Sequence, residues 1–217
     1  GVIATLTTSF AVGPAVINTG DAAGDIYSSI NHLTGSAFAD TLIGNSSVNV
    51  LTSGAGDDIL EGLSGGDTFL GGSGNDTASF AHSTAGVLVD LQNRGIYTAT
   101  NDAVGDSYNS IENFIGSNFN DTVYGTSSDN ILIGGGGNDI LNGDAGFDTA
   151  SYADATGAVT INLATNTVTG SGIGTDTLVS IERIIGSGFA DAITGSGLDD
   201  LIDGGAGVPS SPGYIQP

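Results

Sequence analysis

Apolar residues in this chain return every nine positions, a spacing that neither a helix nor a simple alternating strand produces. Five nonapeptides run without a gap from residue 35 to residue 79: GSAFADTLI, GNSSVNVLT, SGAGDDILE, GLSGGDTFL and GGSGNDTAS. Their eighth positions are Leu42, Leu51, Leu60, Phe69 and Ala78. Their sixth positions are Asp40, Asn49, Asp58, Asp67 and Asp76, and glycine gathers in the first four. A second run, 116–151, reads GSNFNDTVY, GTSSDNILI, GGGGNDILN and GDAGFDTAS, with Asp121, Asn130, Asp139 and Asp148 in the sixth place. A third supplies Asp191 and Asp200. The frame then restarts at Gly204 and meets Val208 and Pro209 where its acidic end should fall.

Nine residues suit a six-residue turn followed by a three-residue strand. Two repeats then close an 18-residue coil with a strand on each side, and coils stacked about 4.8 Å apart form two parallel ladders. Side chains in the eighth position point between the ladders as a thin apolar spine. The predicted fold is all-β, a right-handed parallel β-roll or β-solenoid of Gly-Asp-rich nonapeptides. Helix is nearly unrepresented, because no window repeats apolar residues at i, i+3, i+4 and i+7 and glycine recurs too densely.

The frame sits inside a longer repeat. INHLTGSAFADTLIG (30–44), IENFIGSNFNDTVYG (111–125) and IERIIGSGFADAITG (181–195) are copies of one unit that start 81 and 70 residues apart. Most of that difference is one additional nonapeptide, Gly62 to Leu70, and solenoids vary in length by such gains. Spacers between the blocks alternate apolar residues, in Val87, Val89 and Leu91, again in Val159, Ile161 and Leu163, and in Val2, Ala4 and Leu6. Period two means strand, so the spacers are expected to continue the solenoid as wider coils. Each closes on a short acidic signature, Gly24-Asp25, Gly105-Asp106 or Thr175-Asp176. The expected organisation is a spacer end at 1–34, a repeat block at 35–79, a spacer at 80–115, a second block at 116–151, a spacer at 152–185, a partial block at 186–207 and a non-repeat tail at 208–217. The chain has no initiating Met and opens in the middle of its recurring pattern, which is expected of a segment of something longer.

Charge narrows the function. There are 24 acidic residues against Arg94 and Arg183, for a formal net charge of -22. Such a polyanion opposes its own compaction unless cations neutralise it, and without clustered Lys and Arg it cannot grip nucleic acid or an anionic membrane surface. Cysteine is absent, so no disulfide offsets the ordering cost of 37 glycines, each about 0.5–1 kcal/mol worse than alanine. No apolar run reaches the length of a membrane span, and Gly1 to Phe10 lack the basic start of a signal peptide.

The sixth-position carboxylates of repeats n and n+2, such as Asp58 and Asp76, fall one coil apart on the same side of the roll. Two carboxylates about 5 Å apart repel by roughly 1–3 kcal/mol at effective dielectrics of 80 to 20, and the repulsion recurs at every coil. Glycines in the second and fourth places permit positive φ and turn carbonyls inward, so carboxylate and carbonyl oxygens from adjacent turns converge. Six to eight hard oxygens suit calcium; magnesium demands an octahedron and keeps its waters, and transition metals favour His or Cys. The candidate ligand set is Asp40, Asp58, Asp67, Asp76, Asp121, Asp139, Asp148, Asp191 and Asp200, with the turn glycines Gly54, Gly56, Gly65, Gly72, Gly74, Gly135, Gly137 and Gly146. Several calcium ions are the expected cofactors, and binding them is expected to be the folding step.

Gly71 to Asp76 (GGSGND) and Gly134 to Asp139 (GGGGND) closely resemble the G-G-x-G-x-D-x-U-x nonapeptide of the RTX, or hemolysin-type, calcium-binding repeat family. The repeats cover about half the chain. The spacers and the Ile-(Glu/Asn)-x-x-x-Gly-Ser-x-Phe-x-Asp segments resemble those of large bacterial exoproteins with several repeat blocks. The resemblance implies type I secretion, a chain kept unfolded by low cytosolic calcium, and a secreted or cell-surface location. At Gly44 to Thr52 and Gly125 to Ile133 the motif is broken by Ser-Ser and by Asn49 or Asn130, where weaker or empty sites are expected.

Two functions follow. One is a structural or adhesive scaffold whose partners are calcium, other rolls, a cell surface or a polysaccharide. The other is the secretion-and-folding module of an extracellular protease, lipase or polysaccharide-active enzyme whose catalytic domain lies elsewhere. Several blocks joined by spacers favour the scaffold. The segment itself is not expected to be an enzyme. His32 and His82 lie outside any nucleophile motif, and Asp57-Asp58 and Asp199-Asp200 are chain neighbours whose side chains point apart. No G-K-[ST] follows Gly134 to Gly137, and the seventh-position series Thr41, Val50, Ile59, Thr68, Thr77 breaks the threonine ladder of an ice-binding face.

Overall fold

The computed structural model describes residues 2–5, 30–95, 97–196 and 201–205. Leu6, the Gly24-Asp25 signature, Asp200 and the tail at 208–217 lie outside the described residues.

The chain divides into two compact units, Gly1–Ser83 with Leu88–Asn113, and Thr84–Val87 with Phe114–Pro217. In the first unit one parallel ladder runs through β1 (Ile3–Thr5), β3 (Thr41–Ile43), β5 (Ile59–Glu61) and β7 (Thr77–Ser79). A second runs through β2 (His32–Thr34), β4 (Val50–Ala55), β6 (Thr68–Ser73) and β9 (Ser107–Asn109). Successive repeats therefore alternate between ladders, and Thr41 pairs with Ile59, Ile59 with Thr77, and Val50 with Thr68, each one coil apart. Most strands are three residues long. β4 and β6 run on into the glycine turn, where Gly54 pairs with Gly72 and Ala55 with Ser73.

In the second unit one ladder is built from β10 (Asn113–Ile115), β12 (Ile131–Ile133), β14 (Thr149–Ser151), β18 (Arg183–Ile185) and β20 (Leu201–Asp203). The other contains β11 (Thr122–Tyr124), β13 (Ile140–Asn142) and β17 (Gly174–Val179). The second spacer widens its coil with a meander. β15 (Val159–Asn162) and β16 (Thr167–Gly170) pair antiparallel, β16 turns antiparallel onto β17, and β15 also lies parallel to β19 (Ala192–Thr194). In the first spacer β8 (Leu88–Asp90) is bridged at Leu88 to Thr100 before a single 3-10 turn, Asn101–Ala103, which is the one helical element among the described residues.

The spine is dry. Leu42, Leu51, Leu60, Phe69 and Ala78 are fully buried, as are Val123, Leu132, Leu141 and Ala150 of the second unit. In the first spacer Tyr108 extends the spine and stacks tilted on Phe69 at 5.2 Å between ring centroids, and Phe80 lies 6.5 Å from Phe69 on another side. β-Branched residues hold most seventh positions, which suits a short pleated strand with one face outward.

Turns, rather than strands, impose the glycine frame. Gly74 takes φ 137°, and a methyl group there would strike the carbonyl oxygen of Gly56 in the coil below. Substitution G74A is expected to destabilise the roll by about 1–3 kcal/mol, the cost of holding alanine in a region open to glycine alone. A shift of the calcium-induced folding midpoint measures it. Two second positions carry a side chain at a smaller positive φ, in the left-handed helical region, Leu63 at φ 66° and Asp144 at φ 72°.

Candidate metal centre

Within each unit the sixth-position side chains form a ladder on each side of the roll. The Asp40 N–H donates to Oδ1 of Asp58 at 2.7 Å, and the Asp58 N–H to Oδ1 of Asp76 at 3.0 Å. Asn49 donates to Asp67 at 2.7 Å. In the second unit Asp121 donates to Asp139 and Asn130 to Asp148, both at 2.8 Å. One carboxylate oxygen is thus fixed by the neighbouring coil's backbone. A counter-ladder holds the turn from the other direction: the N–H of the fifth residue donates to the fifth side chain one coil earlier, as Asn75 does to Asp57 at 2.9 Å and Phe147 to Asp129 at 2.8 Å.

The second carboxylate oxygen tells a different story. Oδ2 of Asp58, Asp67, Asp76, Asp139 and Asp148 is buried and has no hydrogen-bond partner. In four of these repeats the first-position glycine closes over it, and a methyl at Gly62, Gly71, Gly134 or Gly143 would collide with Oδ2 of Asp67, Asp76, Asp139 or Asp148; the Asp58 repeat begins instead with Ser53. An unsatisfied buried acceptor costs about 1–3 kcal/mol, more when charged. Its repetition in one place of the frame is what carboxylates held toward a cation would show. Burial is the main cause of the electrostatic strain: it raises Asp139 to about 8, Asp67 to about 7, and Asp76 and Asp148 to about 6, against the backbone hydrogen bonds that hold them down and with neighbouring carboxylates adding to the rise.

A family model for the RTX calcium-binding nonapeptide repeat matches the chain in four copies, at 27–60, 43–78, 115–150 and 180–208, which together cover more than half of it. The chain belongs to the RTX calcium-binding nonapeptide repeat family. No curated protein matches it. The RTX repeat is a structural calcium-binding module, and the parallel β-roll described above is the fold expected of it.

The RTX donor set fits a hard cation. All eight turn glycines named from the sequence take positive φ, from 86° at Gly135 to 149° at Gly65. Among the described residues no three His, Cys, Asp or Glu side chains cluster, so a cation here would draw on paired carboxylates and turn carbonyls, all of them oxygen. That is calcium chemistry.

The structure sorts the candidate carboxylates into two groups. Asp40, Asp121 and Asp191, in the leading repeat of each block, have both oxygens engaged. Oδ1 of Asp121 accepts from the Val87 N–H at 2.7 Å and from the Ser117 hydroxyl at 3.0 Å, and Oδ2 accepts from the Ser117 N–H at 2.5 Å. Asp191 repeats this with Val159 at 2.9 Å and Ser187 at 2.6 and 2.8 Å, and Asp40 does so with Val2 and Ser36. The second-position serines Ser36, Ser117 and Ser187 supply the extra donors; the repeats with an open Oδ2 have glycine, Leu63 or Asp144 there. Asn49 and Asn130 are satisfied similarly, their Oδ1 atoms accepting from the Asn45 and Thr126 N–H groups at 2.7 Å.

Four spacer carboxylates join the ladder without having been picked out as candidates from the sequence. Asp106 accepts the Asp67 N–H at 2.7 Å, Glu112 that of Asp76 at 3.0 Å, Asp176 that of Asp139 at 3.0 Å, and Glu182 that of Asp148 at 2.8 Å. The acidic signature closing each spacer and the glutamate after Ile111 and Ile181 were the available signals. Burial raises Asp106 to about 7 and Asp176 to about 6.

Proposed function

We propose that the chain is a calcium-held scaffold segment of a secreted or cell-surface protein, ordered by the ions it binds. The observation that supports this best is the row of buried, partnerless Oδ2 atoms repeating with the nonapeptide. Asp58, Asp67, Asp76, Asp139 and Asp148 would serve as carboxylate ligands, with turn carbonyls around Gly54, Gly56, Gly65, Gly72, Gly74, Gly135, Gly137 and Gly146. Asp200, in the same place of the frame, is proposed with them. Asp40, Asp121 and Asp191 would instead cap the start of each block, because serine and backbone donors already occupy their oxygens. Bound calcium supplies the positive charge that lets stacked carboxylates share a dry turn. The chain's part is geometric: glycines bring the backbone close, Oδ1 fixes the coil spacing, and Oδ2 is held toward the ion.

Repeat blocks separated by spacers, rather than one block beside a catalytic motif, support the scaffold reading. Calorimetric titration of the purified chain is expected to find several calcium ions per molecule and no comparable uptake of magnesium. Absence of calcium binding at millimolar concentration would remove the proposal.

A further inference from the structure

The last residues of the second spacer, SGIGTDTLV (171–179), fall outside the four stretches matched by the repeat model. They nevertheless behave as a nonapeptide repeat. Gly172 and Gly174 occupy the second and fourth places and take φ 86° and 68°, as turn glycines do. A methyl at Gly174 would strike the Gly137 carbonyl oxygen, as one at Gly74 would strike that of Gly56. Thr175 donates to Asn138 Oδ1 at 2.7 Å, continuing the fifth-position counter-ladder in which Asn138 donates to Asn120 at 2.8 Å. In the strand, Thr177 pairs with Ile140 and Leu178 with Leu141, so Leu178 enters the eighth-position spine and is 4% exposed. Asp176 takes the sixth place, with Oδ1 on the Asp139 N–H.

A ladder that ended with its matched repeats would leave Asp139 without a carboxylate above it. The spacer supplies one. Oδ2 of Asp139 and Oδ2 of Asp176 are both wholly buried and without a partner. The phenol of Tyr152 lies close enough to Asp176 to interact with its carboxylate, though outside normal hydrogen-bond geometry.

We propose that residues 171–179 are a disguised repeat, and that Asp176 with Asp139 and the turn carbonyls of 135–137 and 172–174 form a further calcium site where the second spacer rejoins the roll. The proposal rests on the calcium-binding reading of the ladder. In this arrangement the spacer is a long insertion between stacked repeats that the ion row crosses, and Asp176 closes the insertion onto the turn at Gly135–Gly137.

The test counts calcium per chain by native mass spectrometry in wild type, D58N and D176N, and reads terbium luminescence excited through tyrosine in wild type and Y152F. Asparagine keeps the Oδ1 acceptor and removes the charge. D176N is expected to carry one calcium fewer than wild type. Y152F is expected to keep the wild-type count while losing part of the sensitised terbium emission, since it removes the phenol beside the site and leaves the carboxylates. An unchanged count in D176N, or unchanged terbium emission in Y152F, overturns the additional site. If D176N fails to order in saturating calcium, the Y152F emission decides alone. A loss of one ion in D58N with none in D176N defeats only the additional site, whereas a wild-type chain that binds no calcium defeats the ladder reading itself.

Discussion

Stripped of calcium at neutral pH, the chain is expected to lose its β-sheet circular dichroism and to expand severalfold in volume, and to recover both cooperatively when calcium is returned. Three quantities act together. A formal charge of -22 on a compact chain is self-repulsive. The stacked aspartates place partnerless anionic oxygens in buried turns, each at a cost the surrounding protein does not offset. The apolar spine contributes about one side chain per nonapeptide, and the buried side chain at Ala78 or Ala150 is a single methyl. A thin spine of this kind leaves little stability to absorb the electrostatic cost, since even ordinary domains are stable by only about 5–15 kcal/mol. Ion binding and folding are then one equilibrium. Size-exclusion chromatography or small-angle scattering with and without chelator measures the expansion, with circular dichroism in parallel. A chelated chain that kept its compact volume and its sheet spectrum would mean that the roll stands on its spine and backbone ladders alone.

The nonapeptide frame made the architecture legible because one period controls three things at once. Eighth positions such as Leu60 and Leu132 had to face inward, the 18-residue coil set the register that pairs Ile59 with Thr77, and glycine in the second and fourth places was required by backbone conformations that few other residues adopt. The division of labour among the carboxylates was harder to read. Asp58 and Asp121 occupy the same place in the frame, yet one has an open oxygen and the other is saturated, because Ser117 stands where the Asp58 repeat has Gly54. That single substitution is visible in the sequence, but its meaning depends on where the hydroxyl lands. The spacer carboxylates were hidden for another reason. Asp67 meets Asp106 across 39 residues and Asp139 meets Asp176 across 37, distances that a search at the 18-residue spacing of stacked repeats passes over.

Acid is expected to do for the metal-free chain part of what calcium does. In the folded, metal-free state burial raises Asp139 to about 8, Asp67 and Asp106 to about 7, and Asp76, Asp148 and Asp176 to about 6, against an ordinary value of 3.8. Folded pKa values above the unfolded ones mean that the roll binds more protons than the coil between those limits, so its stability falls as pH rises. The protonated contribution is fully present below the unfolded value near 3.8 and is lost as pH climbs through 6 to 8. Lowering the pH of the chelated chain from about 8.5 to about 5, while staying above its pI near 4.1, should therefore stabilise the sheet, with the stability gain per pH unit steepest below about 6, where these carboxyls are protonated in the roll and ionised in the coil. With calcium present the dependence reverses in the binding step, because protons and calcium compete for the same oxygens and the calcium midpoint should rise as pH falls. Circular dichroism of the chelated chain against pH, paired with calcium titrations at the two ends of the range, separates the arms. A chelated chain that became less ordered on acidification would show that the buried carboxylates are stabilised as anions by the protein itself, and that charge neutralisation is not what holds the coils together.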